Sequence, residues 1–207
     1  DDLETMSADE NMNEEDEKES SSGLYKNCSD ASTMVYPNDL FGEAGFSLLD
    51  KDNACLKMPE LKKYLTKLSM LLENIEKSQG TVFVYSNYVN NGGIELIKRI
   101  LLKNGYSMYN KNVPNKKSFI VFSDKLSSEE RDKLRKRFNK SDNKNGDYIK
   151  IILGSPIISE GLTLKNVRQV HIIEPTWNMS KINQIVGRAV RNHSHDDLPL
   201  EQRNVEI

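Results

Sequence analysis

The chain has 207 residues, 37% of them hydrophobic and 29% charged, which suffices for one domain with a real core and some chain to spare. No apolar run approaches a membrane-spanning length, no signal peptide is visible, and two cysteines, Cys28 and Cys55, make no disulfide framework and fit no zinc spacing. The expectation is a soluble, intracellular protein with no membrane partner. A start at Asp1 rather than Met is what an excised or processed piece of a longer chain would show.

Residues 1–22 carry ten acids against one base, Lys18, while the remainder has a net charge of +7. Residues 1–23 are therefore expected to be a disordered acidic tail, ahead of a mildly basic body suited to a polyanion. Residues 24–57 have scattered anchors such as Tyr36, Phe41 and Leu48, broken by Pro37, Gly42 and Gly45; they are expected to wrap irregularly over a domain spanning 58–207. After Pro59, the residues Leu61, Tyr64, Leu65, Leu68, Leu71, Leu72 and Ile75 recur at helical spacing and predict one helix of roughly five turns. Thr81–Tyr85 is a short apolar run of the kind buried on both faces of a parallel sheet. Ile94, Ile97, Ile100 and Leu101 predict the next helix, stopped by Asn104-Gly105. A Lys/Asn loop covers 110–117, and Ser118–Phe122 is a second strand. Ser127 with Glu130 forms a capping box that opens a basic helix to about Phe138. Tyr148–Leu153 and Gln169–Ile173 are the third and fourth strands, and Ile182, Ile185, Val186, Ala189 and Val190 mark a last helix. The alternation predicts an open, mostly parallel α/β sheet with helices on both faces.

Chemistry concentrates near the end. At 100° per residue, Gln184, Arg188 and Arg191 fall on one stripe of the last helix, opposite the apolar set. Two guanidiniums on one stripe suit phosphate recognition, and Gly187 beside them would admit a close backbone or ligand. Strand 148–153 runs into Gly154–Thr163, rich in Gly, Ser and Thr, where an open α/β sheet binds ligands beyond its strand ends. Ser86-Asn87 closes strand 81–85 in the same way.

These residues carry a resemblance. Gln184-Ile185-Val186-Gly187-Arg188-Ala189-Val190-Arg191 matches the Q-x-x-G-R-x-x-R motif of superfamily 2 helicases and translocases. Ser155 through Thr163 resembles the preceding motif of those families, and Val82–Ser86 the strand that opens their second RecA-like domain. Trp177-Asn178 is similar to the W-N of chromatin-remodelling ATPases. The combination most resembles helicase-like proteins of large cytoplasmic DNA viruses, such as the poxvirus early transcription factor small subunit and nucleoside triphosphate phosphohydrolase I.

The resemblance implies a RecA-like C-terminal half of an ATP-dependent helicase or translocase, linked to viral transcription and at work in host cytoplasm and virion. It implies that Arg191 is the arginine finger with Arg188 beside it, and that Gln184, Gly187, Gly161 and Thr163 lie at the nucleotide. Thr163 departs from the aspartate that many relatives carry there. It implies nucleic-acid contacts at Ser86, Asn87, Ser155 and Ser159, and coupling of the two ligands through Glu160. The chain has no Gly-Lys dipeptide and hence no Walker A loop; its Asp-Glu dipeptides, Asp9-Glu10 and Asp16-Glu17, lie in the tail. ATP with magnesium would then be held mainly by an N-terminal RecA-like domain absent from these 207 residues, and the fragment alone should be inactive. DNA or RNA is the expected substrate, with an RNA polymerase as a further partner. The alternative is a non-catalytic RecA-like module that binds a polymerase or nucleic acid. His171, His193 and His195 have no metal-ligand spacing, Trp177 reads as a packing anchor, and the Asn178 and Asn192 sequons are discounted in a chain without a secretion signal.

Overall fold

The computed structural model describes residue 32 and residues 35–90, 92–111, 113–123, 125–156, 162–174 and 178–207. The expected acidic tail lies outside the described residues. Five strands form one sheet: β1 Thr81–Tyr85, β2 Ser107–Met108, β3 Ser118–Phe122, β4 Ile151–Gly154 and β5 Val167–Ile172. Their order is β2-β3-β4-β1-β5, and every pair is parallel. The described α-helices are α1 Gly42–Leu48, α2 Leu61–Tyr64, α3 Thr66–Lys77, α4 Ile94–Lys103, α5 Ser128–Phe138 and α6 Met179–Ala189.

The two-residue period of a strand sorts the sheet's side chains into two cores. Val82 and Val84 of β1, with Phe119, Ile151 and Leu153, face α3 and α4 through Leu68, Leu72, Ile75, Ile97 and Ile100. Phe83 and Tyr85, with Ile120, Phe122 and Ile152, face α5 and α6 through Phe138, Ile185 and Ala189. Helices thus cover both faces, as the continuous apolar strands require. All five residues of β1 are buried, and it sits between β4 and β5.

Residues 35–57 are more regular than the sequence suggests. They contain the seven-residue α1 and two 3₁₀ turns, and they bury Tyr36, Leu49 and Leu56 in the same core as α3 and α4. The helix expected after Pro59 is broken at Leu65, whose φ of -144° and ψ of 66° end α2. Leu65 is turned fully inward there, and the bond from its N–H to the Leu61 carbonyl lets α3 resume at Thr66. β4 starts at Ile151 rather than Tyr148, because the Tyr148 and Ile149 N–H groups donate to Asn143 Oδ1 (3.0 and 2.9 Å) instead of to the ladder. β2 is an edge pairing of two exposed residues with no apolar signature.

Other local signals work as read. Gly105 has φ +87°, the left-handed stop expected after α4. Ser127 Oγ accepts from the Glu130 N–H (3.2 Å) while Glu130 Oε2 accepts from the Ser127 N–H (2.9 Å), completing the capping box of α5. The C-terminal segment returns to the outer edge of β5, where Gln169 and Glu206 form an isolated parallel bridge. Among the described residues, no helix is long and apolar enough to cross a membrane.

Candidate nucleotide and nucleic-acid site

The expected site residues fall in two places: Ser86, Asn87 and Ser155 at the carboxyl ends of β1 and β4, where Asn87 meets the start of α6, and Thr163, Arg188 and Arg191 at the C-terminus of α6, beside the residues that lead into β5. Asn178 opens α6 as its N-cap, its Oδ1 accepting the Ser180 N–H at 2.9 Å. The helix ends at Ala189, two residues short of Arg191. The single-stripe geometry expected for Gln184, Arg188 and Arg191 therefore holds only for the first two, which lie one turn apart. Val190, expected in the core, is 46% exposed past the helix end, while Ile185 and Ala189 are buried.

Where the helix stops, its last carbonyls need partners from elsewhere. The Val186 carbonyl accepts the Val190 N–H (2.9 Å). The Gly187 carbonyl accepts Arg191 Nε–H (3.0 Å). The Arg188 carbonyl accepts the Leu164 N–H (2.8 Å). The Ala189 carbonyl accepts the Ser194 hydroxyl (3.2 Å). Arg191 thus caps its own helix, and its Nη1 donates to Thr163 Oγ1 at 2.9 Å. An arginine has five N–H donors, so three remain for a ligand. Arg188 is half-buried, whereas Gln184 and Arg191 are exposed.

The Thr163 segment is held from both sides. Asn139, the C-cap of α5, donates Nδ2–H to the Thr163 carbonyl (2.8 Å) and accepts the Lys165 N–H at Oδ1 (2.8 Å). Between them Leu164 is fully buried. Gly187 lies in the last turn of α6, and a Cβ added to it would meet nothing within 4 Å. No packing by the described residues demands glycine there.

The strand-end serines differ from expectation. Ser86 is fully buried, and its Oγ lies 2.9 Å from both Glu174 Oε1 and the Tyr88 carbonyl. Ser155 is also buried. Neither hydroxyl lies on the surface of this domain, so a direct nucleic-acid contact by either does not match the geometry found. For Ser86 the cause is Glu174, a carboxylate just past the end of β5 that sequence reasoning passed over. It is 4% exposed, and its Oε2 accepts the Asn87 N–H at 2.8 Å. Burial pushes the Glu174 carboxyl above its ordinary pKa; bonds from Asn87 and Ser86 and the charge of Lys67 pull the other way. Asn87 is half-buried, and its Oδ1 accepts from Lys181 Nζ of α6 (2.8 Å) and from the Tyr85 hydroxyl (3.1 Å). Asn87 therefore ties the β1 loop to the start of α6. The one available sequence signal for Glu174 was an acid closing an apolar strand. Ser159, Glu160, Gly161 and Trp177 lie outside the described residues.

A parallel sheet flanked by helices, with two arginines at the end of its last helix, defines the class: an open α/β domain. Residues 65–193 match the helicase conserved C-terminal domain, and the chain belongs to that family. A protein of Acanthamoeba polyphaga mimivirus named as an ATP-dependent RNA helicase is 38% identical over 177 residues, covering 85% of this chain and 30% of the relative. A Kluyveromyces lactis killer-plasmid helicase is 33% identical over 165 residues, covering 80% of this chain and 26% of the relative. A termination factor NPH-I homologue of African swine fever virus is 31% identical over 175 residues, covering 68% and 25%. The chain thus spans less than a third of the length of these relatives. Among solved structures, the C-terminal part of the Fun30 ATPase domain has the same fold at a TM-score of 0.50 and 18% identity, over 67% of this chain and 37% of that one.

Proposed function

We propose that this chain is the second RecA-like domain of an ATP-driven helicase or translocase. Arg191 closes the active site onto the terminal phosphate of ATP bound to a first domain. The observation that carries this reading is the state of Arg191: its guanidinium is fixed by the Gly187 carbonyl and Thr163 Oγ1, and three donors are left over at the domain surface. A guanidinium so placed stabilises charge that develops as the phosphoryl group leaves, an effect worth on the order of 10³–10⁵ in rate. Arg188 and Gln184, one turn apart on the same helix, and the open position at Gly187 would face the first domain and its nucleotide. Magnesium would be held with the nucleotide by that first domain.

Nucleic acid, DNA or RNA, would run across the carboxyl ends of β1 and β4, where Asn87 and Lys181 offer polar groups and the +7 body supplies attraction. Among the relatives, the names that mention viral RNA helicases and a termination factor support a role beside a viral RNA polymerase, in host cytoplasm and virion. Residues 1–23 would act as an acidic tail competing for the basic surface.

The test is steady-state kinetics of the two-domain protein at saturating ATP and nucleic acid. Arg191→Ala is expected to abolish turnover with an unchanged melting temperature and a smaller loss of ATP affinity; Arg191→Lys should recover little, since an ammonium lacks the planar fork. Turnover near wild type in Arg191→Ala would remove Arg191 from the chemistry and leave Arg188 or an interface role in its place; absence of turnover in the wild-type two-domain protein would favour a non-catalytic binding module.

A further inference from the structure

We infer that Thr163 is a positioning residue for Arg191, holding the guanidinium in its phosphate-facing orientation, and that it does not contact the nucleotide ribose. The inference rests on the reading of Arg191 given above and extends it to the residue that fixes the arginine's geometry.

The contact is direct: Arg191 Nη1 donates to Thr163 Oγ1 at 2.9 Å across 28 residues of sequence. It complements the bond from Arg191 Nε to the Gly187 carbonyl, so two donors at different points of the guanidinium are engaged. One hydrogen bond leaves a planar group free to swing about it; two fix its plane. Arginine loses much rotamer freedom when ordered, and here that loss is met before a ligand arrives.

Thr163 can serve as an anchor because its own backbone is immobilised. Its carbonyl accepts from Asn139 Nδ2, the next N–H, of Leu164, donates to the Arg188 carbonyl, and the Lys165 N–H donates to Asn139 Oδ1. Leu164 is buried with no exposed surface. Asn139 caps α5, so the position of the Thr163 hydroxyl is set by a helix end on one side and the α6 terminus on the other. The Thr163 oxygen is thus turned to the guanidinium by protein groups alone, with no nucleotide needed to place it.

The experiment has two arms. In the two-domain protein, Thr163→Val removes the acceptor at nearly constant shape and is expected to lower kcat for ATP about tenfold, the loss of one bond to a charged, partly exposed group, with KM within about twofold. Thr163→Ser, which keeps the oxygen, should retain most of the turnover. Adding Thr163→Val to Arg191→Ala should change nothing further. In the 207-residue chain, Thr163→Val should shift and broaden the Arg191 Nε–H NMR resonance, while Thr163→Ser should not. A raised KM in Thr163→Val that disappears when ATP is replaced by its 3′-deoxy analogue would establish a ribose contact and overturn the inference. So would an unaltered Arg191 resonance. If Arg191→Ala is dead while Thr163→Val turns over normally, the inference alone falls. If Arg191→Ala turns over normally, the reading of Arg191 falls with it.

Discussion

Glycine in the last turn of a helix is a cost that something must justify, and at position 187 nothing among the described residues does. Gly187→Ala places a methyl group where no atom lies within 4 Å, in a residue whose carbonyl, not its side-chain space, is used by Arg191. Alanine is favoured over glycine in helices by about 0.5–1 kcal/mol, largely because glycine's unfolded state is freer. The substitution should therefore stabilise the 207-residue chain by that amount. For a chain of this size the melting temperature should rise by about 1–4 °C. Urea unfolding followed by circular dichroism, with the slope fixed between variants, measures the same quantity. In the two-domain protein the same substitution should cost at least tenfold in ATP turnover, since the open position would be filled by another domain or by nucleotide. A lower melting temperature would refute the open geometry at Gly187. A rise in both stability and turnover would refute the close approach and leave glycine there unexplained by the proposed interface.

Two further outcomes follow from buried polar groups. Lys150 is 8% exposed with its Nζ donating to the Ser78 carbonyl, and burial, aided by the charge of Lys116, lowers its pKa from 10.5 to about 8. Its folded-state pKa being depressed, the penalty of the buried charge is full below pH 8 and is relieved as the pH rises from about 8 towards 10.5. Wild type should thus gain about 2 kcal/mol relative to Lys150→Met between pH 7.5 and 9.5, measured by denaturant titration at each pH; parallel pH profiles would refute this. Measurement should stop there, because burial raises Tyr106 to about 12 and its contribution to stability is lost as the pH climbs through 10 to 12. Glu174→Ala strands the Asn87 N–H and leaves the Ser86 hydroxyl to the Tyr88 carbonyl alone, and should cost about 1–3 kcal/mol, whereas Ser86→Ala should cost about 1–2 kcal/mol and leave single-strand affinity within twofold by anisotropy. A Ser86→Ala variant of unchanged stability but weakened binding would return Ser86 to the nucleic-acid interface.

What the sequence disclosed and what it withheld divide along a physical line. β1 and β3 were legible because each is a short apolar run with all or nearly all of its residues buried, and α5 because its capping box is complete within four residues. The end of α6 was not legible. The partners that close it, Leu164 and Ser194, lie outside the helix, one of them 24 residues upstream of the carbonyl it meets, so helical arithmetic carried on to Arg191. Glu174 was missed for the same reason. A buried acid has no local pattern, and Ser86 and Asn87, which accommodate it, are 88 and 87 residues away. Thr163 and Arg191 were each picked out, but as two separate ligands of a nucleotide; their mutual bond is a fact of tertiary structure.

The place of β1 between β4 and β5 has a consequence for how the chain is made. Its partners are remote: Val82 pairs with Ile151 and Val84 with His171, at separations of 69 and 87 residues. A ribosome therefore releases a strand whose five residues are all buried in the fold well before either neighbour exists. No strand of this sheet pairs through a local hairpin, so closure waits for long loops to be fixed, a slow route by its topology. During that interval Thr81–Tyr85 is a five-residue stretch of high β-propensity with no charge, the kind of segment that pairs with a wrong partner. The charged residues that bound it nearby, Glu76 and Lys77 before and Glu95 after, stand in the sequence as its protection until synthesis reaches β5.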